Sequence, residues 1–257
     1  MMTERRPACR VAGAAILAIA IMAAAGRPVA SAQGRGRGGQ PQAPATARTA
    51  APIDLTGYWV PIITEDWPYR MWTALKGDYG GVPLSPEGRK VADTWDTSKD
   101  GSCLAYGAAG LMRMPVRVRI TWESDNALKL ETDAGMQTRR LVFDKTQRPG
   151  PRSLQGFSVA EWELGPGNRP DRGGSLKVTT TNMTGGWVRR NGAPYSDSAT
   201  VTEYWDQFAG PTGDQWFTVN TIVEDAKYLQ RPFITSSHFT KEPDGSKFKP
   251  TPCKATT

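Results

Sequence analysis

The sequence has few of the residues from which metal centres are built. It contains a single histidine, His238, and three cysteines. Zinc and copper sites combine several such side chains, so the composition disfavours a centre of either kind and we expect no metal. Nucleophile elbows, phosphate-binding loops and dinucleotide fingerprints are also missing, and no cofactor is expected. The sequence therefore predicts location and architecture better than it predicts a reaction.

Long hydrophobic runs are missing too. The apolar run at residues 11–25 is mostly alanine and is shorter than the roughly 20 residues that a membrane span requires. It follows a basic segment and precedes Val-Ala-Ser-Ala, which ends at Ala32. This is the pattern of a signal peptide cleaved before Gln33. It predicts a periplasmic or secreted protein with no membrane span after cleavage.

Excess positive charge is confined to the N-terminal part of the chain. Residues 1–32 contain four arginines and one glutamate, and residues 33–52 contain three arginines, which leaves residues 53–257 with +1 of the net charge of +7. Residues 33–52 are rich in Gly, Pro, Ala, Gln and Arg, which predicts a flexible leader. A nearly neutral body does not favour nucleic acid as a partner. We expect three segments: a signal peptide (1–32), a leader (33–52) and a single β domain (53–257).

Helical periodicity is scarce in residues 53–257, where short apolar and polar alternations are separated by Gly and Pro. This pattern predicts a mostly β fold, either a single antiparallel β-barrel or a sandwich. A long insert, Thr64–Met114, carries one predicted helix, for which Ser85 is the cap and Pro86 the first residue. The expected strands are Asp54–Ile63, Val116–Trp122, Leu128–Leu130, Gln137–Phe143, Gly156–Leu164, Ser175–Asn182, Ala199–Phe208, Gln215–Val223 and Phe233–Lys241.

Three short segments resemble motifs of known families. Residues 54–59 read Asp-Leu-Thr-Gly-Tyr-Trp, and their Gly-x-Trp element resembles the first strand of lipocalin-like barrels. Together with Thr-Glu-Tyr at residues 202–204 and the segment 224–232, they are similar to a family of uncharacterised secreted bacterial proteins. That resemblance implies a barrel fold and supplies no mechanism.

Two cysteines remain after the predicted loss of the signal peptide, Cys103 and Cys253. Two thiols in an oxidising compartment predict one disulfide, which would join the insert to the C-terminal tail. The alternative is a reactive thiol, although no basic surroundings in the sequence favour a thiolate at either position.

Two acidic pairs follow predicted strands directly, Glu65 with Asp66 and Glu224 with Asp225. Paired carboxylates at strand ends are candidates for general acid and base catalysis, or for half of a calcium site. Capping of a turn by the aspartate explains the pairs nearly as well. His238 is the remaining candidate base, with a structural role on the last strand as the alternative.

Aromatic residues are abundant, since the chain contains nine tryptophans. Several of them must pack in the core. Aromatic side chains beside arginines also form pockets that stack and orient small molecules. The candidate ligand-binding residues are Trp67, Tyr69, Arg70, Trp72, Arg113 and Tyr228.

Three functional hypotheses are compatible with these features. The first is a barrel that binds a small amphipathic or aromatic molecule in an aromatic-rich pocket. The second is a cofactor-independent hydrolase or lyase/isomerase that uses the carboxylates and His238 as acid and base. The third is a structural protein of the cell envelope with no pocket.

Overall fold

The computed structural model describes residues 45–99, 103–167 and 173–253. The predicted signal peptide and most of the predicted leader lie outside the described residues. The described part is mostly β, and nine strands form a closed barrel. The fold is therefore the barrel of the two predicted architectures. Around the barrel the strands are β1 (Gly57–Ile62), β12 (Phe233–Glu242), β11 (Gln215–Glu224), β10 (Thr200–Ala209), β7 (Gly174–Thr181), β6 (Phe157–Leu164), β5 (Thr138–Val142), β3 (Ala127–Thr132) and β2 (Val118–Ser124).

Short elements accompany the barrel. Two small sheets pair β4 (Ala134–Gly135) with β13 (Thr251–Pro252), and β8 (Gly186–Trp187) with β9 (Pro194–Tyr195). The helices are α1 (Trp67–Met71), α2 (Pro86–Ala92) and α3 (Ala108–Leu111), with single 3₁₀ turns at Thr97–Lys99 and Cys103–Tyr106. The described residues of the insert, 64–99 and 103–114, thus hold three short α-helices where the sequence predicts one.

The alternation of apolar and polar residues explains the barrel wall. In β11, Phe217, Val219, Thr221 and Val223 are buried at every second position, and these side chains point inward. Large aromatic rings fill the interior beside them. The ring of Phe217 lies 4.7 Å from the rings of both Trp59 and Phe239, centroid to centroid. This level of the barrel is a packed core, so a ligand site is to be sought at its ends.

One strand pair departs from the antiparallel arrangement that the sequence predicts. β5 and β6 are parallel, with Leu141 opposite Ser158 and Val142 opposite Val159, whereas the other barrel pairs are antiparallel. The connection at residues 143–156 carries the chain back along the barrel before β6 begins. Alternation specifies which face of a strand is buried but not the direction of its neighbour, so this difference could not be read from the pattern.

The insert, residues 64–114, lies over the end of the barrel at which β1 and β11 finish and β12 begins. We call this insert the cap. Ser85 N donates to Tyr228 O over 2.8 Å, and Gln230 N donates to Pro83 O over 2.8 Å. Gly88 lies so close to Tyr228 O that an added Cβ would clash with that oxygen. These contacts fix the cap on the segment that joins β11 to β12.

Two local predictions within the cap are confirmed. Helix α2 begins as expected, since the Ser85 hydroxyl accepts a hydrogen bond from Gly88 N over 3.0 Å and Pro86 is its first residue. The disulfide between Cys103 and Cys253 is present, with 5.7 Å between the Cα atoms. It links the cap covalently to the C-terminal tail.

The opposite end of the barrel contacts residues that the sequence assigns to the leader. Residues 47–50 form a turn, in which Ala47 N donates to Asn126 Oδ1 over 2.8 Å. Trp162 Nε1 donates to Ala47 O over 2.8 Å. The tip of the β2–β3 hairpin and Trp162 therefore contact this stretch, which precedes Ile53.

Candidate ligand-binding site at the capped end

A cavity of about 300 Å³ lies at the capped end of the barrel. The cap, the β8–β9 hairpin and the start of β12 form its walls. It combines charged groups on one side with aliphatic, aromatic and hydroxyl groups on the other. Its lining residues are Glu65, Asp66, Arg70, Gly81, Arg113, Arg189, Phe233, Ile234, Thr235 and Ser236. We call this space the arginine cavity.

A strained turn places the first acidic pair. Asp66, which precedes α1, has φ 54° and ψ 28°, a left-handed conformation that a residue other than glycine seldom adopts. Such conformations cost on the order of 1–3 kcal/mol and persist where the surroundings hold them. Here the turn gives Glu65 and Asp66 different partners, Arg70 for the former and Arg113 with Arg189 for the latter.

Arg70 is the most deeply buried cation of the cavity, with 2% of its surface exposed. It lies in the last turn of α1. Its Nη1 pairs with Glu65 Oε1, and its Nε donates to Arg113 O over 3.0 Å. Its Nη2 is buried and makes no hydrogen bond. A buried donor without an acceptor costs about 1–3 kcal/mol or more, so Arg70 has an unused donor in a site where one is expensive.

Two further arginines share one carboxylate oxygen. Asp66 Oδ2 lies 2.5 Å from Arg113 Nη2 and 3.4 Å from Arg189 Nη2. Arg189 also donates through Nη1 to Gly80 O over 2.5 Å, while its Nε is buried without a partner. The hairpin that carries Arg189 is thereby attached to the cap.

The three arginines outnumber the two carboxylates that line the cavity with them. Burial lowers the pKa of Arg70 and the pKa of Arg189, and the positive charge of Arg113 lowers both further, against the opposing effects of Glu65 and Asp66. All three guanidinium groups remain charged at physiological pH. Among the residues that line the cavity, positive charges therefore exceed negative charges by one.

Aromatic rings pack against two of these guanidinium groups. The Arg189 Cζ atom lies 3.9 Å from the centroid of the Tyr69 ring, and the Arg113 Cζ atom lies 5.3 Å from that of Phe233. The Tyr69 hydroxyl donates to Asp78 Oδ1 over 3.1 Å, and this hydrogen bond raises the pKa of Tyr69. Such stacking holds the planar groups in fixed orientations.

His238 lies at the edge of the cavity on the partly exposed face of β12. Its Nδ1 is 3.1 Å from Glu65 Oε2, the same oxygen to which the Thr64 hydroxyl donates over 2.8 Å. Burial raises the pKa of Glu65, but the hydrogen bond from Thr64 and the charge of Arg70 outweigh it and lower that pKa overall. Glu65 therefore connects the histidine to the buried Arg70.

The second acidic pair lies elsewhere. Asp225 Oδ2 accepts from Ser196 N over 2.6 Å, and Oδ1 accepts from the Ser196 hydroxyl over 2.8 Å and from Lys227 N over 3.0 Å. These are the contacts of a turn cap, which is the structural alternative for that residue. Glu224 is exposed at the end of β11. The structure does not bring Glu224 or Asp225 to the arginine cavity, because their loop packs on α2 instead.

Three predicted aromatic contacts are also separate from the cavity. Trp67, 53% exposed, borders a groove of about 420 Å³ on the outer wall, beside Met71 and Arg117. Trp72 is 68% exposed. Tyr228 contacts the start of α2 through its backbone. Of the predicted ligand-binding set, Arg70 and Arg113 line the cavity, and Tyr69 supports it from behind Arg189.

The sequence reasoning misses Arg189 and Phe233. The Arg-Arg doublet at residues 189–190 follows Trp187 within a glycine-rich loop, a weak signal that spacing alone does not connect to the cap. Phe233 opens a predicted strand, where it is indistinguishable from any other core residue. Both reach the cavity through contacts between parts of the chain that are distant in sequence.

Three comparisons with known proteins were made for this chain. No family model matches it, and no curated protein or solved structure matches it either. Across the described residues, no helix combines the length and apolar character needed to cross a membrane. The site must therefore be interpreted from its own geometry.

Proposed function

We propose that this protein is a periplasmic or secreted β-barrel that binds a small amphipathic molecule in the arginine cavity. One observation carries the proposal: three buried arginines converge on a cavity of about 300 Å³ whose other side carries apolar and hydroxyl side chains. A volume near 300 Å³ is at the lower limit of known small-molecule sites.

The two sides of the cavity suit the two ends of such a molecule. Arg70, Arg113 and Arg189 offer fixed donors to a polar head group. Phe233 and Ile234 offer an aromatic ring and an aliphatic side chain to an apolar body. Because the barrel interior beneath is packed, the ligand would lie at the mouth under the cap, and its size would be limited to about that of a single substituted ring.

Thermal unfolding of the mature protein with a panel of small phenyl compounds tests this function. A ligand at about one hundred times its Kd stabilises a protein by about 2.7 kcal/mol. For a domain of this size such stabilisation raises Tm by several degrees. We expect the increase to disappear in Arg113→Met and to persist in Arg140→Met. Arg140 is the matched control, since it lies exposed on β5 and pairs with Glu123 outside the cavity.

The outcomes separate the two kinds of protein. An increase in Tm that depends on Arg113 supports a binding site under the cap. If no compound of the panel changes Tm, or if every increase persists in Arg113→Met, the cavity is not a ligand site and a structural protein is favoured.

The contact between His238 and Glu65 favours a second candidate, a cofactor-independent hydrolase or lyase/isomerase. A carboxylate that orients a histidine through Nδ1 leaves Nε2 to exchange protons with a bound molecule. In this case compounds that raise Tm should be converted on incubation, as followed by proton NMR. His238→Gln should keep the binding of these compounds and abolish their conversion. If every compound is recovered unchanged, the catalytic candidate is contradicted and only the binding function remains.

Export is the remaining part of the proposal. The basic, apolar and small-residue segments of residues 1–32 predict that the mature chain begins at Gln33. Intact-mass measurement of protein recovered from the periplasm or the medium would show a chain that starts at this residue. Recovery of the uncleaved chain in the membrane fraction would contradict it.

A further inference from the structure

The balance of charge in the arginine cavity narrows the class of molecule that it can hold. Arg70, Arg113 and Arg189 contribute three positive charges, and Glu65 and Asp66 contribute two negative charges. A buried excess of one positive charge is costly, and one negative charge on a ligand would neutralise it. A ligand with two negative charges would leave the cavity with an excess of one negative charge.

The two carboxylates also lie in the wall of the same cavity. An anion bound beside the arginines therefore also lies near Glu65 and Asp66, which repel a doubly charged group more strongly than a singly charged one. Each carboxylate is already paired with at least one arginine, so the positive charge left for a ligand is small.

The geometry of the guanidinium donors favours the same class of ligand as the charge balance of the cavity does. A guanidinium group presents its N–H donors in one plane, which matches the two oxygens of a carboxylate. The Arg113 guanidinium lies over the ring of Phe233, with its Cζ atom 5.3 Å from the ring centroid, so it is next to an apolar part of the wall. In a molecule that joins a planar carboxylate to an aromatic ring or a short aliphatic chain, the carboxylate would contact the arginines. Its apolar part would contact Phe233 and Ile234.

We infer that the ligand of the arginine cavity is a small monocarboxylate with an apolar body, held by the guanidinium groups that line the cavity. This inference rests on the proposed binding function and specifies the ligand of that site. It excludes phosphate esters as the main ligands, although arginine clusters bind phosphate elsewhere.

Titration calorimetry with four phenyl compounds tests the inference. Benzoate is the planar monoanion, benzamide its neutral equivalent, phenyl phosphate the compound with the larger charge, and benzylamine the cation. We expect benzoate to bind at least about tenfold more tightly than each of the others, the factor that one charged hydrogen bond supplies. Arg113→Met should remove that preference, and Arg140→Met should keep it.

Asp66→Asn gives a second and opposite test. The substitution removes one negative charge from the cavity and keeps the shape of the side chain. Asparagine tolerates the left-handed backbone of this position, so the turn should survive. We expect phenyl phosphate to gain relative to benzoate by about tenfold, because the excess positive charge is then two.

Each result has a separate meaning. If phenyl phosphate or benzamide binds wild-type protein as tightly as benzoate, the inference is wrong while the binding function stands. An unchanged ratio of the two anions in Asp66→Asn would also overturn the charge argument. If none of the four compounds binds, the proposed function fails, and the inference fails with it.

Discussion

Two groups of buried arginines can be compared in this molecule, one inside the barrel and one beneath the cap. Inside the barrel, Arg139 and Glu203 are paired with both side chains fully buried, through contacts of 2.7 and 3.2 Å. Arg139 Nη2 also donates to the Thr180 hydroxyl over 3.1 Å. Beneath the cap, three arginines share two carboxylates around a cavity.

The difference lies in charge balance and in access. The interior pair is electrically neutral, and both oxygens of Glu203 are used, so it has the character of a structural element. The cap group has an excess of one positive charge and borders a space that a small molecule can enter. Burial of an arginine alone therefore does not indicate a binding site, and the proposed site is assigned to the cap group because of its excess charge and its cavity.

The largest expected effect concerns the interior pair. Arg139→Met should lower the free energy of unfolding by about 3–5 kcal/mol, because Glu203 would remain buried without its partner. Urea unfolding followed by tryptophan fluorescence measures it. The double variant Arg139→Met/Glu203→Leu should recover part of the loss, and a double variant as unstable as the single one would show that the pair contributes through packing.

Under the cap, the same type of substitution should lower the free energy of unfolding by a smaller amount, and it should weaken ligand binding. In Arg113→Met, Asp66 keeps Arg189 as a partner, so we expect a loss of about 1–2 kcal/mol after allowance for solvent screening. Urea unfolding and benzoate titration of one preparation give both quantities. A stability loss as large as that of Arg139→Met would remove the distinction between the two groups.

The loss of stability at low pH should depend in part on the ionisation of Glu65. Its pKa is lowered from the ordinary 4.5, so its ionised form stabilises the folded state above that pH. This contribution is lost as the pH falls through the lowered pKa of the folded protein. Glu65→Gln should therefore show a weaker fall in Tm between about pH 5 and pH 3 than wild type. Parallel curves for the two proteins would contradict the assignment.

The smallest effect is expected outside both groups. Trp72 is largely exposed, and Trp72→Ala should change the free energy of unfolding by less than about 0.5 kcal/mol. Benzoate binding should stay at the wild-type level, because Trp72 does not line the cavity. Denaturant unfolding and titration of this variant check both values, and weaker binding would extend the site toward this tryptophan.

The sequence contains enough information to locate the barrel strands. Alternation identifies β10, β11 and β12 to within a residue or so, since a strand with one buried face repeats every two residues. The Ser-Pro pair at residues 85–86 locates α2 for an equally local reason. Helix α1 is missed, because its five residues include Pro68 and follow a left-handed aspartate.

Only part of the candidate site could be predicted in the same way. The position of Glu65 and Asp66 at a strand end, and the nearby Arg70, are local features of one segment. Their meeting with Arg113 and Arg189 depends on how the cap and a distant hairpin fold over the barrel. No periodicity records such long-range contacts, so the charge balance of the site becomes visible only in three dimensions.

The disulfide between the cap and the tail also determines when, during synthesis, the cap can be joined covalently to the tail. Its two cysteines are 150 positions apart, and most of the barrel is encoded between them. The bond cannot form before the ribosome has synthesised Cys253, by which time every strand of the barrel wall already exists. The disulfide therefore forms only after all strands of the barrel have been synthesised. A chain that ends before Cys253 would lack the covalent link between the cap and the tail.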